Sequence, residues 1–206
     1  MIVGVVDYGM GNLRSVQSAL ELFKAEVRIT DDAALLAGCD GLILPGVGSF
    51  FRAMQHIEER GLREVLHGLV DDGLPLLGIC LGMQLLAREG SEDGVAAGLG
   101  FIDARVERLD VVDRPVPHVG FNATRFTEQG RALCGGLGAS ADFYFVHSYR
   151  MVCSDDDDVA GWCDYGGEFA AVVKRGNVMG VQFHPEKSQS NGLKLIQSFL
   201  QLAAAC

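Results

Sequence analysis

Short runs of apolar, β-branched residues alternate with stretches of helical periodicity through the first half of the chain. Ile2 to Val6 reads as a buried strand, followed by a Gly/Asn loop over Tyr8 to Asn12 and a helix from Leu13 to Lys24. Glu26 to Thr30 and Gly41 to Leu44 supply the second and third strands. Pro45-Gly46-Val47-Gly48 is then a loop, and Phe51 to Asp72 carries helical periodicity broken at Gly61. Leu74 to Ile79 is a fourth strand running straight into Cys80, with a helix from Met83 to Arg88 beyond it. Alternation of this kind predicts a parallel sheet with helices on both faces.

After Gly98 the pattern changes. Phe101 to Val112, Gly120 to Phe126, Asp142 to Cys153, Phe169 to Lys174 and Val178 to Phe183 read as strands with turns between them. A closing helix runs from Gly192 to Ala204. The second half is expected to extend the same sheet with antiparallel pairings. No internal repeat or linker-like segment interrupts the chain, so residues 1–206 are expected to form a single α/β domain.

Bulk properties narrow the function classes. A 49% hydrophobic and 21% charged composition over 206 residues is that of a globular chain with ample interior. A formal charge of -10 argues against broad electrostatic binding to nucleic acid or to an anionic membrane. The densest charge cluster, Asp155 to Asp158, reads as a solvated loop, because calcium loops need alternating ligands and a turn glycine. The start, Met1-Ile2-Val3-Gly4-Val5-Val6-Asp7, lacks the basic and long apolar regions of a signal peptide. No window reaches the ~18 apolar residues of a membrane span. The six cysteines (39, 80, 134, 153, 163 and 206) include no C-x-x-C pair, so no structural zinc site is suggested. Reduced thiols in the cytoplasm are the expectation.

Among those thiols Cys80 stands apart. A strand ending in Gly78-Ile79-Cys80-Leu81-Gly82 before a helix has the layout of a nucleophile elbow. The glycines are needed because the turn is too tight for side chains beside the nucleophile. The helix that follows places its positive end beneath the sulfur, favouring thiolate over thiol, and the Leu81 N–H can point at a developing oxyanion. An amide-cleaving thiolate also needs a partner to protonate the leaving ammonia. Of the five histidines, His56 and His67 lie in the helical stretch after Phe51 and are expected to face solvent. His184 is delivered to a strand end by Val178 to Phe183, and Glu186, two positions on, can hold the imidazole through its second ring nitrogen.

Gly-Ile-Cys-Leu-Gly-Met-Gln (78–84), together with Gly-Val-Gln-Phe-His-Pro-Glu-Lys-Ser (180–188), resembles the class I, triad-type glutamine amidotransferases. The resemblance implies their flavodoxin-like α/β fold, with a mixed, mainly parallel central sheet and helices on both faces. It also implies that Cys80 forms a glutamyl thioester, that His184 is general acid and base, and that Glu186 orients it. Gln84 and Gly46 are then substrate-binding residues, and no metal or organic cofactor is called for. Asp7 to Leu13, Pro45 to Phe50 and Tyr144 to Tyr149 are similar to the glutaminase subunits of imidazole glycerol phosphate synthase, a likeness that runs from residue 2 to the C-terminal helix. It implies a heterodimer in which a (β/α)8-barrel cyclase subunit receives the ammonia for histidine biosynthesis.

The flanking segments suit that role. Glycines on both sides of Val47 make a backbone strip that can rotate a peptide at low steric cost, so its N–H completes the oxyanion hole with Leu81. Neither G-x-G-x-x-G nor a Walker lysine accompanies the glycine-rich Asp7 to Asn12 segment, which argues against nucleotide phosphate. Lys187, Asn12 and Tyr144 are implied contacts to the cyclase. His147 and Tyr149 fit strand packing and interface equally. Phe121 stands where the family commonly carries tryptophan, which keeps an aromatic surface and loses the indole N–H donor. The residues discriminate poorly between the histidine-pathway acceptor and that of a paralogue acting on a bacterial surface sugar. A pyridoxal phosphate synthase glutaminase is disfavoured by the Asp7 to Asn12 start and by Lys187-Ser188.

Overall fold

The structure is a computed structural model and describes residues 1–205, the side chains of residues 132 and 133 excepted. In chain order the first half runs β1 (Ile2–Val6), α1 (Leu13–Glu21), β2 (Glu26–Thr30), α2 (Ala33–Ala37), β3 (Gly41–Gly46), α3 (Phe50–Glu59), α4 (Leu62–Asp71), β4 (Leu76–Cys80) and α5 (Leu81–Leu85). Strands β3 and β4 are buried at every position, as continuous apolar runs covered on both faces must be. Their side chains alternate between two cores. Leu42, Leu44 and Leu76 pack with α2, α3 and α4 through Leu36, Phe50, Ile57 and Leu66. Ile43, Leu77 and Ile79 pack on the other face with α1 and the C-terminal helix through Val16, Leu20, Leu195 and Phe199.

Local chemistry sets the element ends. Asp32 caps α2 by accepting from the Leu35 N–H at 2.9 Å, and Ser49 caps α3. Gly61, left-handed at φ 64°, separates α3 from α4 where the break was predicted. The first helix is shorter than expected because the chain turns after Glu21 and Lys24 adopts a left-handed φ of 58°. The short α2, with few periodic positions to signal it, was not anticipated.

The second half runs β5 (Glu89–Gly90), β6 (Ala96–Ala97), β7 (Ala104–Arg108), β8 (His118–Phe126), α6 (Glu128–Leu133), β9 (Ser140–His147), β10 (Tyr149–Cys153), β11 (Val159–Asp164), β12 (Glu168–Arg175), β13 (Val178–Val181) and α7 (Gln189–Ala203). The main sheet has nine strands in the order β2-β1-β3-β4-β13-β12-β11-β8-β9. The pairings from β2 to β13 are parallel, and those from β13 to β9 are antiparallel. The expected extension of the sheet is present, with two corrections: the Phe101 to Val112 run shortens to β7 and lies in a second sheet, and the Asp142 to Cys153 run is divided. Asp142 to Cys153 is not a single strand: it breaks at Ser148, so β9 stays in the main sheet while β10 pairs with β7 in a second, four-stranded sheet, β10-β7-β5-β6. Strand β11 and helix α6 were also missed. Gly161 sits at a bulge in β11, and Gly130 lies in α6 where an added Cβ would fall on the Ala160 carbonyl oxygen, so close packing rather than periodicity shapes both.

Among the described residues no helix is long and apolar enough to cross a membrane. Two glycine substitutions test the packing with opposite signs. A Cβ at Gly82 would fall on the Leu44 carbonyl oxygen, whereas one at Gly68, inside α4, meets nothing within 4 Å. Gly82→Ala is expected to destabilise by about 2 kcal/mol or more, and Gly68→Ala to stabilise by about 0.5–1 kcal/mol. Thermal unfolding of the two variants checks both, and a tolerated Gly82→Ala would contradict the close approach of α5 to β3.

Candidate active site

Strand β4 ends on Cys80, whose φ of 55° and ψ of -110° lie where a residue with a side chain is strained. The surroundings over-determine that conformation. An added Cβ on Gly78 would come within 2.6 Å of the Gly82 carbonyl oxygen, and Gly82 lies directly against the backbone of β3. Gly46, in register with Cys80 on the neighbouring strand, has room for a Cβ only 2.5 Å from the Tyr8 hydroxyl. Three backbones thus meet at the elbow. Leu81 is the first residue of α5, so its N–H has no acceptor within the helix.

Strand β13 runs parallel to β4 with Val181 opposite Ile79, so the residues that follow both strands emerge side by side. The His184 N–H donates to the Tyr144 carbonyl at 2.9 Å. Pro185–Lys187 then form a single 3-10 turn. Ser188 locks this turn, its hydroxyl donating to the His184 carbonyl at 2.6 Å and accepting from the Tyr144 N–H at 2.9 Å. The turn brings Glu186 back onto its own histidine, with Nδ1 2.8 Å from Oε1, and both side chains are almost fully buried. Glu186 Oε2 is buried without a partner. Burial disfavours the charged imidazole of His184, but hydrogen bonds to Cys80 and Glu186 and the charge of both outweigh it, holding the ring up at about 9. The fold thus brings together a sulfur, an imidazole beside it and a carboxylate on the far ring nitrogen.

A cleft of about 220 Å³ opens over Cys80, with Val47, Leu81, Gln84, Glu92 and Tyr149 among its walls. Gln84 commits its amide hydrogens to the Tyr149 carbonyl and to Gln182 Oε1, each at 3.0 Å, which leaves its own carbonyl oxygen for a ligand. Gln182, fully buried, turns its amide toward the Cys80 sulfur at 3.9 Å. Gly46 does not line this cleft. It is packed beneath it, and Val47 is the member of the strip that reaches the wall. Glu92 belongs to none of the sequence motifs, and only the fold brings it to this wall. The tight turn after β5 folds Glu92 over the start of α3, where it accepts from the Phe50 N–H at 3.2 Å; burial raises its carboxyl above the usual range, ahead of the opposing Phe50 hydrogen bond.

The four residues assigned to a partner surface surround this site. Phe121 and Tyr144 face each other across β8 and β9, edge to face at 5.5 Å, with the exposed Val119 and Val146 beside them. Lys187 is exposed just past the triad turn, and Asn12 borders a small cavity shared with Val47, His184 and Glu186. His56 and His67 do not face solvent as expected. Each is half-buried and donates to a carbonyl, His56 to Tyr8 at 3.1 Å and His67 to Leu99 at 2.8 Å, because both point off their helices toward the loops those helices cover. The acidic run is solvated at Asp155 to Asp157, but Asp158 is buried and paired with Arg175 at 2.8 Å. Cys39, Cys80, Cys134, Cys153 and Cys163 are free thiols, and Cys206 lies outside the described residues.

Comparison with known proteins agrees with this geometry. Residues 4–202 match the family model of glutamine amidotransferase class-I. The chain is 46% identical over 200 residues to the imidazole glycerol phosphate synthase subunit HisH of Moorella thermoacetica, covering 97% of this chain and 94% of that one. It is 47% identical over 199 residues to the subunit of the same name from Rhodopirellula baltica, covering 96% of each. A crystal structure described as a glutamine amidotransferase superimposes with a TM-score of 0.78 at 26% identity, over 99% of this chain and 100% of the other.

The proton on His184 makes a pH prediction. Its folded-state value of about 9 lies above the ordinary 6.5, so the native state holds a proton that the unfolded chain releases. The stability this contributes is fully present below pH 6.5 and is lost as the pH rises through about 9. Cys80→Ala removes one of the groups that raise the ring, so its midpoint should fall below about 9 in an NMR titration of the imidazole. An unchanged midpoint would show that the sulfur and the ring do not interact.

Proposed function

The chain belongs to the class-I glutamine amidotransferases, and from that premise we propose that it hydrolyses glutamine to glutamate and ammonia at Cys80 and hands the ammonia to the cyclase subunit of an imidazole glycerol phosphate synthase in histidine biosynthesis. The observation that carries this reading is the convergence of Cys80 and the His184–Glu186 pair at the ends of adjacent parallel strands, under a cleft sized for a small polar molecule.

Glutamine enters with its side-chain amide over the elbow. The Glu92 carboxylate meets its α-ammonium, and the Gln84 carbonyl oxygen accepts a further N–H. Cys80 sulfur attacks the amide carbon, and the oxyanion that forms is met by the Leu81 N–H. The Val47 N–H joins it once the peptide between Gly46 and Gly48 rotates. Gly48, at φ 99°, already occupies backbone space that favours glycine. His184 protonates the departing nitrogen, releasing ammonia and leaving a glutamyl thioester on Cys80. A water then attacks the thioester carbon and gives its proton to His184; the C–S bond breaks, releasing glutamate and leaving the sulfur free beside the protonated ring. Glu186 keeps Nδ1 occupied throughout, so the other nitrogen always faces the reaction.

Ammonia is useful to a biosynthetic partner only if it does not escape to water. An apolar strip of the exposed Val119, Phe121 and Val146 with the half-buried Tyr144 reaches the cleft, since Val146 is also part of its wall. This surface, with Asn12 and Lys187, is the proposed seat of a (β/α)8-barrel cyclase in a heterodimer, which caps the site. The free cysteines suit a reducing compartment such as the cytoplasm.

Glutamate release, measured with and without a cyclase subunit and its nucleotide ligand, tests the assignment. The isolated chain should be slow and the complex fast, and an inactive complex would refute glutaminase activity. Cys80→Ala should lower the rate by at least about 10³-fold with subunit binding intact. Phe121→Asp should weaken subunit association by about tenfold or more while leaving the Tm of the free chain nearly unchanged.

A further inference from the structure

Two histidines beside the site take no part in the chemistry just described. His118 on β8 and His147 on β9 are opposite each other in register, and both are buried. His147 Nδ1 lies 2.8 Å from the Tyr149 carbonyl, and its Nε2 lies 3.0 Å from His118 Nδ1. A carbonyl oxygen can only accept, so His147 carries its proton on Nδ1 and presents Nε2 as an acceptor. His118 must therefore donate from Nδ1. The order of donors is fixed from one end to the other: His118 to His147, and His147 to Tyr149.

We propose that His118 is a positioning residue for glutamine recognition, acting through His147 to hold the Ser148–Tyr149 turn that walls the substrate cleft. The proposal rests on the reading of that cleft as the glutamine site. Ser148 is where the chain leaves the nine-stranded sheet for the four-stranded one: its carbonyl accepts from the Leu109 N–H at 2.8 Å beside β7, while the Tyr149 carbonyl takes its donors from side chains. Both Ser148 and Tyr149 line the cleft. The Tyr149 carbonyl accepts from His147 on one side and from Gln84 on the other, which occupies both of its lone pairs. The second amide hydrogen of Gln84 is taken by Gln182. The turn thus fixes which end of Gln84 is offered to substrate; the Leu109 N–H holds its backbone at Ser148, and His118, through His147, sets the direction of the Tyr149 carbonyl.

Packing alone does not account for an imidazole at position 118. Its ring is stacked on Tyr165 at 3.8 Å and on Phe145 at 4.8 Å, with Phe169 at 6.0 Å, surroundings a phenylalanine would fill equally well. What the imidazole adds is one N–H aimed at His147. Both rings are neutral, as a single-proton relay requires. Burial, helped by Arg114, pushes His118 down to about 4. Burial pushes His147 down to about 3, against the opposing Tyr149 hydrogen bond and with the help of His118 and His184. Without the His118 donor, His147 is free to move its proton to Nε2 and release the Tyr149 carbonyl.

The test is glutamate release by the complex with the cyclase subunit, using His118→Phe, which keeps the stacked ring and deletes the donor. KM for glutamine should rise by about three- to tenfold, the worth of one neutral hydrogen bond, while kcat changes by less than about twofold. His118→Asn, whose amide nitrogen replaces Nδ1, should restore most of the KM. A His118→Phe enzyme with unchanged KM, or with kcat lost and KM intact, would overturn the proposal. If the phenylalanine variant fails to fold, the ring-nitrogen NMR pattern of the unaltered protein decides, because a His147 protonated on Nε2 is incompatible with the relay. An inactive wild-type complex would sink the glutaminase reading instead, and the same NMR pattern would still judge the relay.

Discussion

The turn after β4 approaches β3 so closely that no side chain fits between them, and the rest of the site depends on that contact. Gly82 lies against the Leu44 carbonyl, and Gly78 lies beneath Gly82. With that volume removed, α5 starts immediately after the strand, and Cys80 is forced to a positive φ that lifts its side chain out of the sheet. An L-residue held there costs of the order of 1–3 kcal/mol, and the buried strands on both sides supply the rigidity that sustains it. The sulfur, the first helical N–H and the open end of β3 are placed together by one steric constraint.

Around that elbow the protein keeps three histidines in different charge states within one small region. His184 gains a carboxylate and a sulfur and is held as imidazolium near neutral pH, ready to give a proton to a leaving amine. His118 and His147 gain no anionic partner to offset burial, and nearby positive charge from Arg114 and His184 adds to it, which keeps them uncharged. The separation is physical: a cation is tolerated where an anion compensates its lost hydration and is expelled where none does. In the proposed mechanism one ring serves proton transfer, and the other two serve geometry.

The same strands that carry the neutral pair carry the apolar strip. Inward and outward positions alternate along β8 and β9, so His118 and His147 point into the protein while Val119, Phe121, Tyr144 and Val146 point outward or toward the rim. Tyr144 joins the two systems through its backbone, which accepts from His184 and donates to Ser188. A subunit seated on this strip would press on the strand that contacts both the His184 turn and the Ser148–Tyr149 turn.

The sequence by itself determined the parallel half of the sheet, the elbow at Cys80, and the His184–Glu186 pairing, because each is written in local terms: buried runs, a glycine on either side of a cysteine, a histidine at a strand end. The break at Gly61 was legible for the same reason, whereas Pro45 and Gly46, read as loop, continue β3 because they pair with Ile79 and Cys80. Tertiary structure alone decided the rest. Asp142 to Cys153 holds no glycine or proline to signal a break, and only the second sheet, competing for its last five residues as β10, divides it at Ser148. Glu92 belongs to none of the sequence motifs, and only the turn after β5 carries it over α3. His118 and His147 are 29 residues apart, and nothing along the chain pairs them until antiparallel register sets one ring nitrogen against the other. Local sequence can specify a strained turn or a strand, but long-range pairing fixes which buried donors find their acceptors, and in this protein that pairing shapes the wall of the substrate pocket.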